Sequence, residues 1–199
     1  VVRKAIEQSS GIPVVGAVPR IRHGEFPERH MGLTPFHEHP DVEKAIAASA
    51  SVAENNLDLA ALWRIAVTAG PLKAVQEPAV PSANPDRPTV GVIRDKAFQF
   101  YYPDNLEALE RQGAILREIN ALHDRELPSI DALYIGGGFP ETQAAELAGN
   151  VSFAGSLRAA VEKGLPVYAE CGGLIYLGRS LRLDDRIYPM TSVLPADII

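Results

Sequence analysis

One cysteine, two methionines, one tryptophan and an aromatic content of 7% are what this chain of 199 residues has little of. A single thiol excludes an intrachain disulfide and any zinc site built from several cysteines. No run of lysine and arginine is long enough to make a nucleic-acid footprint, and the formal net charge is -6, so nucleic acid is not an expected partner. No apolar run reaches the roughly 18 residues of a membrane helix. The opening V-V-R-K-A-I-E-Q-S-S has no apolar h-region of a secretory signal. A soluble cytoplasmic protein is the expectation. The chain does not begin with Met, and its first residues read as the tail of a helix already under way. The expectation is a piece of something longer.

What is present is 46% hydrophobic residues, with 16 glycines and 16 prolines. That suits one ordinary domain or two small ones with many tight turns. I-P-V-V-G-A-V (12–18) reads as a buried strand. Residues 19–40 are loop-like and hold four of the five histidines. Asp41 caps a helix running to about Glu54, and Asp58 opens another over 59–69, ended by Gly70-Pro71. Five prolines fall within residues 71–88, which prevents a regular helix and favours an extended tether. A domain boundary is expected there, leaving units at 1–70 and 89–199.

Past the tether, strands and helices alternate. T-V-G-V-I (89–93), A-I-L-R-E-I (114–119), D-A-L-Y-I (131–135) and L-P-V-Y-A (165–169) read as strands. Helices are expected at 103–113, 141–148 and 152–163, and from Gly172-Gly173 through Leu181. This grammar predicts an α/β fold with a parallel, doubly wound sheet.

The one thiol, Cys171, falls in Y-A-E-C-G-G-L-I-Y-L-G (168–178), where a buried strand meets a helix. Ala169, Gly172 and Gly173 are the small neighbours that a nucleophile elbow needs. A helix N-terminus favours a thiolate, and the Gly172 N–H can serve a developing oxyanion. The competing reading is a buried structural cysteine, which has no need of the glycine pair. Gly136-Gly137-Gly138-Phe139-Pro140-Glu141 also follows a strand, and so lies on the same carboxyl edge, where ligands gather in open α/β sheets. Its glycines allow close approach of a substrate, and their N–H groups can complete an oxyanion hole; the competing reading is a flexible loop. It is not G-x-G-x-x-G, so no dinucleotide site is read. A thiol nucleophile needs a base, and none is evident. All five histidines precede Cys171, and His123 reads as a surface residue. His37-Glu38-His39 has i,i+2 spacing without a third partner, so no metal site is expected.

Y-A-E-C-G-G-L-I-Y-L, I-G-G-G-F-P-E, D-K-A-F-Q-F-Y-Y-P-D-N-L-E-A-L (95–109) and V-P-R-I-R-H-G-E-F-P-E-R-H-M-G-L (18–33) strongly resemble the cobyrinic acid a,c-diamide synthases of cobalamin biosynthesis. The resemblance covers nearly the whole chain. It implies a P-loop domain binding ATP, Mg²⁺ and the corrin, followed by a class I-like, triad-type glutamine amidotransferase domain. It implies that residues 1–70 end the ATP domain and residues 89–199 begin the amidotransferase domain. The implied reaction forms a glutamyl thioester and ammonia. ATP activates acetate side chains of the macrocycle as acyl phosphates, and ammonia converts the c and then the a carboxylate to amides.

By that resemblance Cys171 matches the nucleophile, and Gly137, Gly138 and Gly172 match the backbone donors around the oxyanion. Tyr101, Tyr102, Asp104 and Asn105, with Phe98 and Phe100, match a loop whose aromatics face the corrin. Core packing of the two phenylalanines and helix capping by Asn105 is the competing reading. Pro19 and Arg20 are expected near the nucleotide. Glu170 flanks the nucleophile and receives no role.

The family's P-loop, G-x-x-x-x-G-K-[ST], does not occur in the sequence, and no histidine follows Cys171. The expectation is that this chain alone has neither glutaminase nor synthetase activity. An open sheet edge would favour self-association, with a homodimer as one form. The alternatives left open are a related tetrapyrrole amidase (cobyric acid synthase or the enzyme acting on nickel-sirohydrochlorin), a cysteine peptidase on the same kind of sheet, and a non-catalytic domain.

Overall fold

The computed structural model describes residues 1–20, 41–72 and 87–199. The first two stretches and the third belong to separate compact units. The boundary expected within 71–88 lies mostly outside the described residues. Among these residues no helix is long and apolar enough to cross a membrane.

The N-terminal unit contributes three helices: α1 (Val2–Ser10), α2 (Val42–Asn56) and α3 (Leu59–Thr68). Asp41 caps α2 by accepting from Lys44 N, and Asp58 caps α3 by accepting from Ala61 N. Both caps satisfy orphan donors of a first turn. The strand expected at 12–18 is reduced to a single bridge, Gly16 with Leu57. The backbone groups there go elsewhere. Val14 N donates to Glu7 Oε1, Val14 O accepts from Arg3, and Val15 O accepts from Asp58 N. None of the residues of these three helices is buried.

The second unit is built on a parallel four-stranded sheet: β1 (Thr89–Ile93), β3 (Ile115–Ile119), β4 (Ala132–Ile135) and β6 (Val167–Ala169), in the order β3-β1-β4-β6. The chain moves from β1 outward to β3, then returns past β1 to β4. The order therefore reverses at β1 and β4, which opens a crevice beyond their carboxyl ends. Helix α4 (Pro103–Arg111) starts with proline at its first turn, where no N–H is needed.

Register sorts the side chains by face. Val90, Ala132 and Tyr134 align on one face and cluster with Leu106 and Leu109 of α4. Ile93, Ile119 and Ile135 align on the other. They form the larger core with Leu147 of α5 (Ala144–Gly149), Phe153 and Leu157 of α6 (Val151–Glu162), and Tyr176 of α7 (Gly172–Leu177). Each fully buried Ile, Leu or Phe among these contributes roughly 1.5–3 kcal/mol relative to exposure. Helices on both faces make the sheet doubly wound, as expected.

Two features depart from expectation. Helix α7 stops at Leu177 rather than Leu181, because Gly178 turns the chain into β7 (Ser180–Leu183). A hairpin follows with β8 (Arg186–Pro189), and β9 (Asp197–Ile198) adds in parallel to β7. Second, β2 (Phe98–Phe100) pairs antiparallel with β5 (Gly137–Gly138). Two of the three glycines of the 136–138 loop are therefore in a ladder.

Candidate active site at the carboxyl edge of the sheet

Cys171 sits between β6 and α7 with φ 45 and ψ -107. A non-glycine residue there is strained by order of 1–3 kcal/mol. The turn is held from several sides. Glu170 N donates to Ile135 O at 3.0 Å, Gly173 N to Glu170 O at 2.8 Å, and Ile175 N to Cys171 O at 3.1 Å. Gly173 lies so close to β4 that a Cβ on it would meet Ile135 O at 2.5 Å. The thiol residue is exposed, which corrects the alternative of a buried structural cysteine.

The glycine loop after β4 comes to the same place. A Cβ added at Gly137 would lie 3.6 Å from Cys171 Cβ, and one at Gly172 would lie 2.9 Å from Pro140 Cδ and 3.1 Å from Gly138 N. The structure thus brings Gly137, Gly138, Cys171 and Gly172 together from two separate turns. Gly138 is fixed by the loop after β1, since a Cβ there would overlap Ala97 O at 2.0 Å. That loop is organised by Asp95, whose carboxylate accepts from Ala97 N at 2.9 Å and from Ala121 N at 2.8 Å. Burial pushes the Asp95 carboxyl above its ordinary range, and those backbone donors pull it back.

Tyr101 is partly buried, and its hydroxyl donates to Ile93 O and accepts from Gly136 N at 2.8 Å. Desolvation raises its pKa. One bond goes to the end of β1 and the other to the first residue of the glycine loop, so this hydroxyl is a bolt for that loop. Tyr102 and Asp104 are exposed on the first turn of α4. Asn105 does not cap that helix, whose N-cap is Tyr102 without a side-chain bond. It lines the same cavity as Tyr134. Phe98 is core, and Phe100 packs edge-on against Phe139 at 5.2 Å. Pro19 and Arg20 are exposed in the N-terminal unit. His123 is exposed, and the other four histidines lie outside the described residues. Among the described residues no three His, Cys, Asp or Glu side chains cluster in a way that could hold a metal ion.

Sequence reading missed the partners of Glu170. Its carboxylate accepts from Tyr168 Oη at 2.7 Å and from Tyr134 Oη at 3.5 Å. The period-2 spacing of Tyr168 and Glu170 placed them on one side of a strand; their cross-strand neighbour Tyr134 depends on register.

An exposed cysteine in a strained strand-to-helix turn, facing glycines from the next strand, is an arrangement in which a thiol can act as a nucleophile. Residues 89–199 match the model of the CobB/CobQ-like glutamine amidotransferase domain. The chain belongs to this family. It is 40% identical over 194 residues to a cobyrinate a,c-diamide synthase of Archaeoglobus fulgidus, covering 98% of this chain and 42% of that protein. It is also 40% identical over 179 residues to the enzyme of the same name from Methanothermobacter thermautotrophicus, covering 90% of this chain and 40% of the relative. With that of Dehalococcoides mccartyi the identity is 41% over 197 residues, covering 97% and 42%. The chain therefore spans about two fifths of the length of the curated relatives it matches. The domain is a class I glutamine amidotransferase-like fold, and the resemblance read from the motifs is to the right family.

Proposed function

We propose that Cys171 is the nucleophile of a glutaminase whose ammonia amidates the a and c acetate carboxylates of a corrin precursor, cobyrinic acid. In this reading the Cys171 thiolate forms a bond to the glutamine carboxamide carbon. The C–N bond breaks and nitrogen leaves as ammonia, taking up the proton that the Cys171 thiol gave up. Water then hydrolyses the thioester to glutamate. Backbone N–H groups of Gly137, Gly138 and Gly172 stabilise the oxyanion that forms on the carboxamide oxygen. The observation that carries this is the strained, exposed Cys171 beside Gly137. The relatives' shared name supplies the acceptor.

Residues 1–70 belong, in this reading, to the ATP-dependent synthetase part, and residues 71–88 tether it to the amidotransferase domain. ATP and Mg²⁺ supply acyl-phosphate activation there. The residues of this chain do not fit a nucleotide site by themselves. The sequence has no G-x-x-x-x-G-K-[ST], and exposed Pro19 and Arg20 are at most its border. Tyr102, Asp104 and Asn105 are proposed to face the macrocycle.

The test uses the full-length protein with ATP, Mg²⁺ and the macrocycle. Cys171→Ala is expected to abolish amidation from glutamine while amidation from added ammonium chloride persists. Equal turnover of glutamine by the variant would overturn the assignment. Mass analysis with cobyrinic acid and with nickel-sirohydrochlorin as separate acceptors tells the two tetrapyrrole activities apart.

A further inference from the structure

Glu170 immediately precedes the thiol, and nothing in the reaction above uses it. Its backbone is pinned on both sides, by Ile135 O and by Gly173 N. Its side chain is tied as well, at 2.7 Å to Tyr168 Oη and at 3.5 Å to Tyr134 Oη. The first is a short charge-assisted bond from the solvent-exposed Tyr168; the second is at the limit for a hydrogen bond. Tyr134 is buried. Its ring packs edge-to-face on Tyr101 at 5.1 Å and on Tyr168 at 5.3 Å. Tyr101 in turn holds Gly136 N. One run of contacts thus joins the glycine loop to the residue before the thiol.

A strained backbone persists only where its surroundings over-determine it. On one side of the Cys171 turn, Gly172 and Gly173 wedge against Pro140 and Ile135. On the side of Tyr134 and Tyr168, the Glu170 carboxylate is the tie. We propose that Glu170 is a positioning residue, whose carboxylate, anchored by Tyr168 and Tyr134, holds Cys171 in the strained conformation that presents the thiol beside Gly137. The consequence for chemistry rests on Cys171 being the glutaminase nucleophile; the consequence for the turn does not.

The experiment compares wild type, Glu170→Ala and Glu170→Gln in the full-length protein. A glutamine side chain can still accept from Tyr168 and donate to Tyr134. Amide hydrogen exchange is read at Gly173 and Ile175, with α6 as the internal reference. Glu170→Ala is expected to speed exchange there by about tenfold or more through local opening, with α6 unchanged. Labelling of Cys171 by 6-diazo-5-oxo-norleucine, which needs an aligned thiol, is expected to fall by at least about tenfold. Alkylation by iodoacetamide needs only an exposed thiolate and should change less than about threefold. Glu170→Gln should restore both exchange and analogue labelling.

Wild-type exchange in Glu170→Ala overturns the proposal, whatever the labelling does. So does a Glu170→Gln variant that behaves like Glu170→Ala, since a side chain able to keep both hydrogen bonds would then fail to hold the turn. If wild type reacts with iodoacetamide and never with the glutamine analogue, the glutaminase reading falls, and exchange alone decides for or against Glu170.

Discussion

Two turns leave neighbouring parallel strands at the same edge of the sheet, and they solve the problem of close approach differently. After β4 come Gly136, Gly137 and Gly138; after β6 come Cys171, Gly172 and Gly173. None of the five glycines has a positive φ. Four of them have no room for a Cβ, which would strike Phe100 O at Gly136, Ala97 O at Gly138, Pro140 Cδ at Gly172 and Ile135 O at Gly173. The residue at positive φ in these two turns is the cysteine. Space is thus made with glycine, and strain is placed on the reactive side chain. A glycine-rich motif at a sheet edge is read more accurately as a map of contacts than as a flexible loop.

The sharpest way to break this comparison is to put back a Cβ where the contact is tightest. Gly138→Ala sets a methyl 2.0 Å from Ala97 O, and the loop carrying that oxygen is held by Asp95. We expect a loss of about 3 kcal/mol or more in a denaturant melt, the upper end for overpacking. Gly173→Ala meets Ile135 O at 2.5 Å and should cost about 2–3 kcal/mol by the same mechanism. Wild-type stability in either would show that the turns are looser than this packing implies.

Tyr101→Phe comes next. It keeps the ring against Tyr134 and removes the hydroxyl shared by Ile93 O and Gly136 N. Two backbone groups lose a partner, so a loss of about 1–3 kcal/mol is expected. An unchanged melting midpoint would mean that water replaces the hydroxyl.

Much of this was legible in the sequence, for reasons that particular residues make plain. T-V-G-V-I and A-L-Y-I are short, apolar and bounded by turn residues, so β1 and β4 announce themselves. The elbow was legible because Cys171 and its glycines are contiguous. What was hidden depends on distant partners. Phe98–Phe100 finds its mate in two glycines with no strand propensity of their own. The expected strand at 12–18 spends its hydrogen bonds on Arg3, Glu7 and Asp58, none of which its apolar pattern foretells. The β7–β8 hairpin did carry a signal. L-R-L-D-D-R-I-Y alternates around Asp184, which takes φ 50, but Leu174, Leu177 and Leu181 at helical spacing masked it as helix.

The last pair of variants separates space from strain at the thiol itself. A Cβ on Gly137 would sit 3.5–3.6 Å from Phe100 and Cys171, an ordinary contact distance. Gly137→Ala should therefore cost less than about 1 kcal/mol in stability, while the methyl crowds the ground beside the thiol and blocks labelling by a glutamine analogue. Cys171→Gly does the reverse. Glycine adopts φ 45 without the penalty that a Cβ brings. It relieves strain of order 1–3 kcal/mol and forfeits somewhat less than that by loosening the unfolded chain. The variant should melt higher by about 1 kcal/mol, as expected where stability and activity are traded at one residue. A lower melting midpoint would mean that the turn sits comfortably as it is, and that the strain at Cys171 is not a store the fold maintains for chemistry.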